Sequence, residues 1–182
     1  MLIYSTSVSL DGYVEDSAGD FGWSAPTDEV HAFINDRLRD LGTHLYGRRL
    51  YETMAAWETE PALAEGSAVE ADFAALWQAA DKVVYSTTLA DVMTRRTRIE
   101  RAFVPDDVRA LKAAADRDLL VGGAGLAGQA LRHGLVDEVH LYVTPFAVGG
   151  GKPALPPGVR LDLDLLEELR FGSGTVYLRY RV

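Results

Sequence analysis

Short apolar runs alternate along the chain with longer stretches whose hydrophobic residues recur roughly every three or four positions. The runs Leu2–Ser9, Thr43–Tyr46, Lys82–Ser86, Asp118–Val121 and Val139–Pro145 are rich in Val, Ile, Leu and Tyr. They alternate poorly, as strands buried on both faces of a sheet do. Between them, Pro26–Leu41 sets Val30, Phe33, Ile34, Leu38 and Leu41 on one helical stripe, with Pro26 in the first turn and Gly42 as the stop. Arg48–Trp57 carries Leu50, Met54 and Trp57 at helical spacing, and Pro105–Ala115 turns Val108, Leu111 and Ala115 inward. Ser67 and Glu70 form a capping box ahead of Val69, Phe73, Leu76 and Trp77. This alternation predicts an α/β fold, a mostly parallel sheet with helices on both faces. The end differs: Leu161–Phe171, Gly172-Ser173-Gly174 and Thr175–Val182 predict an antiparallel hairpin closing one sheet edge. Glu58–Gly66 and the Gly/Pro-rich Ala147–Val159 read as loops. Neither loop is flanked by a composition shift, so 1–182 reads as one domain.

Composition narrows the function. With 182 residues, 48% hydrophobic and 25% charged, the chain has the makings of one full core. A net charge of -9 argues against a nucleic-acid or anionic-membrane partner, either of which needs a positive field. The chain has no cysteine, which removes disulfides, thiolate catalysis and sulfur-bound metals. His31, His44, His133 and His140 are scattered without metal-ligand spacing, so no metal is expected. The opening MLIYSTSVSLDG lacks a basic region and a span-length apolar stretch; a soluble, cytoplasmic protein is the expectation.

The most informative segment is DLLVGGAGLAGQALRHG, Asp118 to Gly134. A strand ends in Gly122-Gly123-Ala124-Gly125 and passes at once, through Leu126, into a helical pattern. Such a turn offers free backbone N–H groups and the positive end of a helix dipole to an anion, typically a nucleotide pyrophosphate. Gly123 to Gly128 spells G-x-G-x-x-G, but late in the chain, and the next strand ends without the acid that holds a ribose in a Rossmann fold. A turn that binds nothing is the plain alternative.

Tyr46-Gly47-Arg48-Arg49 is a second strand-to-helix corner. Cations at a helix N-terminus oppose the dipole unless an anion docks there. Arg presents planar charge-assisted donors suited to phosphate. Ser86-Thr87-Thr88 adds hydroxyls at the end of another strand. Arg and hydroxyl groups around one phosphate favour the 2′-phosphate of NADP over NAD; two solvated arginines are the bland reading.

In order, these residues resemble the dihydrofolate reductase-like superfamily, and more closely its branch related to the riboflavin-biosynthesis reductase domain. The resemblance rests on Ser7-Val8-Ser9-Leu10-Asp11-Gly12-Tyr13-Val14, Trp23-Ser24-Ala25-Pro26-Thr27-Asp28, Gly47-Arg48-Arg49 and Val121-Gly122-Gly123, followed by Val139–Pro145, a Gly-rich loop and a hairpin. It implies a twisted, mostly parallel sheet of about eight strands. It also implies NADPH as hydride donor, with Gly47-Arg48-Arg49 and the Gly122-Gly123 turn at its phosphates, and a homodimer; joined to the residue reading above, the cofactor candidates are Gly47, Arg48, Arg49, Ser86, Thr87, Gly122, Gly123, Ala124, Gly125 and Leu126. Leu50 stands where the family usually has a hydroxyl residue.

The reaction expected is hydride transfer to a small heterocycle, pterin-like or a ribosylaminopyrimidine. Asp28 is the proton-handling candidate, provided its pocket is dry; the alternative is a carboxylate that only complements a helix dipole. Ser7, Asp11, Trp23 and Thr144 are candidates for the substrate side. Asp11 before Gly12 is equally a turn residue, and Thr144 equally finishes a strand ladder. Two rivals stand beside this reading: a Rossmann-type dehydrogenase and a non-catalytic nucleotide-binding module of the same fold.

Overall fold

The computed structural model describes residues 1–182. Its centre is one eight-stranded sheet, ordered β5-β4-β3-β6-β1-β7-β10-β9. The strands are β1 (Leu2–Ser9), β3 (Leu41–Gly47), β4 (Asp81–Tyr85), β5 (Thr97–Glu100), β6 (Asp118–Gly122), β7 (Glu138–Thr144), β9 (Asp164–Arg170) and β10 (Val176–Arg181). All neighbours from β5 to β7 pair in parallel, and the β9–β10 hairpin joins β7 antiparallel. A separate ribbon pairs β2 (Tyr13–Asp16) with β8 (Gly151–Pro153). This is the α/β architecture expected, and its strand order is not that of a Rossmann dinucleotide fold.

Alternate residues along each central strand feed two different cores, because side chains point to opposite faces at every step. Leu2, Tyr4, Leu45, Val83, Leu119 and Val121 pack under α6 (Pro105–Ala114) and α7 (Ala124–Arg132), through Val108, Leu126, Ala127, Ala130 and Leu131. On the other face, Tyr46 and Val84 pack with Tyr51 of α2 (Arg48–Met54) and with Phe73 and Trp77 of α5 (Ala68–Ala79). There too, Tyr142 and Tyr177 meet Val30 of α1 (Asp28–Leu38). Trp77 is fully buried, worth roughly 3 kcal/mol or more of transfer free energy.

Several boundaries differ from the sequence reading. Leu41 and Gly42 belong to β3, not to the preceding helix; Gly42 lies where an added Cβ would stand 3.0 Å from Arg117. The stretch Arg48–Trp57 breaks into α2 and a short α3 (Ala56–Thr59), and the expected loop after it holds a further turn of helix, α4 (Pro61–Ala64). Thr97–Glu100 is an edge strand too short and too charged to show an apolar pattern. The Ala147–Val159 segment contains β8, which its glycines permit. Gly151 has φ +141, and a Cβ there would lie 2.0 Å from the Glu15 carbonyl. Ser67 does cap α5, accepting the Glu70 amide at 3.2 Å. No helix is long and apolar enough to cross a membrane.

At the sheet's N-terminal edge, Arg179 holds the buried Glu138 carboxylate with two bonds of 2.8 and 2.9 Å. His140 Nε2 lies 3.0 Å from the same carboxylate, and its Nδ1 lies 3.1 Å from the Tyr177 hydroxyl. The Arg179 bonds, with His140 adding to them, hold the Glu138 carboxyl down at about 2, although its burial pulls the other way. A depressed carboxylate stabilises the fold above its unfolded pKa, near 4.5, and loses that contribution as pH falls toward 2. Arg179→Met is therefore expected to lower the urea midpoint at neutral pH, with the gap to the parent closing as pH falls through that window. A gap that stays constant with pH would show that the pair contributes no proton-linked stability.

Candidate functional site

Two helices leave neighbouring strands toward opposite faces of the sheet. β3 passes into α2 on one face, and β6 passes into α7 on the other. Tyr46 stands opposite Gly122 in the β3–β6 register, so the corners Gly47-Arg48 and Gly122-Gly123 leave the sheet at one level, about 4.8 Å apart. A crevice between strands whose connections diverge in this way is where open α/β sheets receive ligands.

The charges at this edge are selective. The first turns of α1, α5 and α6 carry the acids Asp28, Glu29, Glu70, Asp106 and Asp107, which neutralise their dipoles; those of α2 and α7 carry none. Neither α2 nor α7 has a side-chain cap. Arg48 and Arg49 are exposed and only loosely held, 3.8 Å from Glu52 and 3.6 Å from Glu15. Both distances exceed a hydrogen bond, so an arriving phosphate has little to displace.

The glycines divide by role. Gly123 has φ +84 as the N-cap of α7, a conformation that disfavours any side chain. At Gly122 a Cβ would meet Leu50 Cδ2 and Tyr46 Cε1, both at 2.7 Å, so its missing side chain is replaced by neighbours. Gly128 is tight against Pro156, at 3.3 Å. Gly47 and Gly125 face open space, with nothing within 4 Å of an added Cβ. Those two leave room for a ligand to approach backbone amides, and this is the fit an anionic cofactor needs. Ala124 and Leu126 are buried on the core side of α7, so only their backbone groups are available to a ligand.

The other predicted residues sit along the same edge, several with their polar atoms already engaged. Ser86 is buried, and its oxygen accepts the amides of Thr88 at 3.2 Å and Leu89 at 2.9 Å. It shapes its own turn, whereas Thr87 is exposed. Asp11 accepts the amides of Val148 and Gly149 at 3.1 and 2.7 Å; the Ser9 hydroxyl first, then these amides, hold its carboxyl below the usual range. It pins the Gly-rich loop. Thr144 donates to the Val8 carbonyl at 3.2 Å, finishing the β1–β7 ladder. Trp23 lies in a 3-10 turn, Gly22–Ser24, and its indole donates to Asp20. Ser7 is half-buried on β1 opposite Tyr142. Asp28 stands exposed in the first turn of α1, not in a dry pocket, while its neighbour Glu29 accepts the Gly172 amide at 3.0 Å.

Three features of this edge have weak sequence signals. Glu15 faces Arg49 only because β2 folds back on β8. Leu50 turns inward over the glycine corner, which its place after Gly-Arg-Arg hinted at. Leu10, Phe21 and Phe146 remain exposed around the end of β1. A cleft of about 450 Å³ at the opposite edge has lining from Asp36, Arg37, Glu138, His140 and Arg179. Its arginines already pair, Arg37 with Glu167 and Arg179 with Glu138, so it offers no free guanidinium.

The RibD C-terminal domain family matches residues 1–177. The chain belongs to that family. The uncharacterized protein YyaP of Bacillus subtilis (strain 168) is 28% identical over 181 residues, spanning 98% of this chain and 93% of YyaP. Among solved structures, a Shewanella sp. PV-4 protein assigned to riboflavin biosynthesis superposes with a TM-score of 0.73 at 18% identity, covering 100% of this chain and 98% of its own. A pyrimidine reductase-like protein of Corynebacterium diphtheriae gives 0.64 at 14% identity, over 100% and 91%. The Thermotoga maritima diaminohydroxyphosphoribosylaminopyrimidine deaminase/5-amino-6-(5-phosphoribosylamino)uracil reductase also gives 0.64 at 14%; this chain spans 100% of itself but 56% of that protein. At these identities the likeness fixes the fold alone.

Proposed function

We propose that this RibD-family chain is an NADPH-dependent reductase acting on a small heterocycle. One observation carries the reading: an arginine-bearing corner and a glycine corner meet at adjacent strand ends, and both helices they open lack first-turn acids. NADPH would supply a hydride to an imine or carbonyl carbon of the substrate. Arg48 and Arg49 bind the 2′-phosphate, with Thr87 beside them, and the amides from Gly123 to Leu126 face the pyrophosphate. Gly47 and Gly125 keep the approach open. Asp28, exposed at the rim, orients a water that brings the proton to the neighbouring heteroatom. Ser7 and Trp23 border the substrate, while Ser86, Asp11 and Thr144 act indirectly, by fixing the loops around it.

The exposure of Asp28 favours a second reading, a module that binds NADPH without turnover, because a carboxyl in water lacks the burial that tunes a general acid. One titration addresses both. At about 100 times Kd a ligand adds about 2.7 kcal/mol, which for a chain of this size raises Tm by about 5–10 °C. NADPH is expected to give that rise and NADH a clearly smaller one. Equal shifts would remove the 2′-phosphate assignment, and no shift would remove the cofactor. Stabilisation with no NADPH oxidation across a heterocycle panel would favour the binding module.

A further inference from the structure

Sheets of this class are covered on both faces, yet one part of this sheet is covered on one face only. Tyr142 of β7 and Tyr177 of β10 pack under α1 with Val30 and Phe33. The residues between them in sequence point to the opposite face. That face is covered over β6 and β1, where Leu2, Tyr4, Leu119 and Val121 lie under α6 and α7. The segment 154–161 extends the cover across β1: Leu155 and Leu161 join the same core, and the Tyr4 hydroxyl donates to the Ala154 carbonyl at 2.9 Å. Beyond β7 the cover stops.

The pairing registers show what is left open. Val143 of β7 stands opposite Val176 of β10, which stands opposite Arg170 of β9. Leu141, Leu178 and Glu168 form the next row, and Tyr180 with Leu165 belongs to a third. Val143, Val176, Leu178 and Tyr180 are only half-buried and join none of the hydrophobic clusters, although β7 and β10 are interior strands. Leu165 is 50% exposed. An antiparallel face left to water carries polar residues at these alternate positions; here β7 and β10 place only apolar ones. Such a face is a layer without its partner layer.

Charge identifies the occupant. With a net charge of -9, two copies of the chain repel one another over most of their surface. The rows of this face hold one acid and one base, Glu168 and Arg170, both exposed on the outer strand. Glu167, which points to the α1 side, is taken by Arg37 and Arg179; the side chains of Glu168 and Arg170 have no ionic partner. A two-fold axis sets residue i of one copy against residue j of the other, and j against i. A face that is otherwise apolar and carries one charge of each sign is complementary to itself under that operation. We infer that the face of β7, β10 and β9 turned away from α1 packs against the same face of a second copy, giving a two-fold dimer of stacked sheets about 10 Å apart. The inference assigns the face that pairs, and it rests on nothing in the reductase reading.

Sedimentation equilibrium of the full chain, from roughly 0.1 to 100 μM, is expected to show a species of twice the chain mass. Leu178→Glu sets acids against each other in the middle of the contact and is expected to raise the dimer Kd about 100-fold. Two changes at exposed positions guard against a variant that merely misfolds. Glu168→Arg leaves the outer strand's two charges both positive, and Arg170→Glu leaves them both negative; each alone is expected to weaken the dimer about tenfold. Mixing the two variants, or combining both changes in one chain, should restore association. If Leu178→Glu loses the fold by circular dichroism, the charge variants decide alone. A parent chain that stays monomeric throughout the range overturns the inference. A dimer that withstands every change also overturns it, because such a dimer uses another face. So does a mixture of the two charge variants that associates no more tightly than either by itself.

Discussion

Replacing both Arg48 and Arg49 with Ala is expected to weaken NADPH binding about 100-fold while changing NADH binding less than about threefold. Two charge-assisted bonds at roughly 1.5 kcal/mol each supply about 3 kcal/mol, the lower end of the range because both side chains are exposed. Their present partners, Glu52 at 3.8 Å and Glu15 at 3.6 Å, are too distant to hold them, so little compensation is lost on binding. Stability should change by no more than about 0.5 kcal/mol, as exposed ion pairs contribute little. Isothermal titration with the two nucleotides measures the difference. Equal losses for NADPH and NADH would take the arginines off the 2′-phosphate and leave them as general anion contacts.

A second large effect separates a glycine that serves packing from one that serves a ligand. Gly122→Val is expected to cost about 1–3 kcal/mol by overpacking, a fall in Tm of about 2–12 °C. The new Cβ would sit 2.7 Å from both Leu50 Cδ2 and Tyr46 Cε1. Leu50 can rotate its terminal carbons away. Tyr46 cannot: it is 3% exposed, and its hydroxyl is 2.9 Å from His44 Nδ1. Leu50→Ala should therefore rescue only part of the loss. Gly125→Ala should do the opposite, adding about 0.5–1 kcal/mol of helix stability while weakening NADPH, because its Cβ enters space that is open in the folded chain. Thermal melts with and without NADPH read both arms. If Gly125→Ala leaves NADPH affinity intact, the glycine corner is not the cofactor's seat.

Much of the scaffold was legible because burial on both faces leaves a mark in composition. Leu2–Ser9 was readable to the residue, and β4, β6 and β7 to within one residue at either end, since central parallel strands have no solvent face and read as continuous apolar runs. Edge and ribbon elements were not. Thr97–Glu100, Tyr13–Asp16 and Gly151–Pro153 bury little, so their sequences need satisfy only backbone pairing, and pairing leaves no periodic trace. The helix after Gly47 was placed correctly at its start, where Gly and Arg are distinctive, and misjudged at its end, where apolar spacing ran on through a break at Ala55.

For the site, the residue types announced an anion: glycines at two strand ends, and two arginines in a first turn whose dipole they oppose. What the sequence determined by itself was that these corners exist, and that each follows a strand, because φ preference and helix polarity are local properties. Tertiary structure alone decided that β6 inserts between β3 and β1, bringing Gly47 and Gly122 side by side from positions 75 residues apart by the numbering. It also decided that Ser86 and Thr144 direct their hydroxyls into the protein's own backbone, and that Leu10, Phe21 and Phe146 stay in water. Those outcomes depend on which surfaces meet and which are left over, and that is a property of the packed whole: the free energy of each contact is shared between residues far apart in the chain.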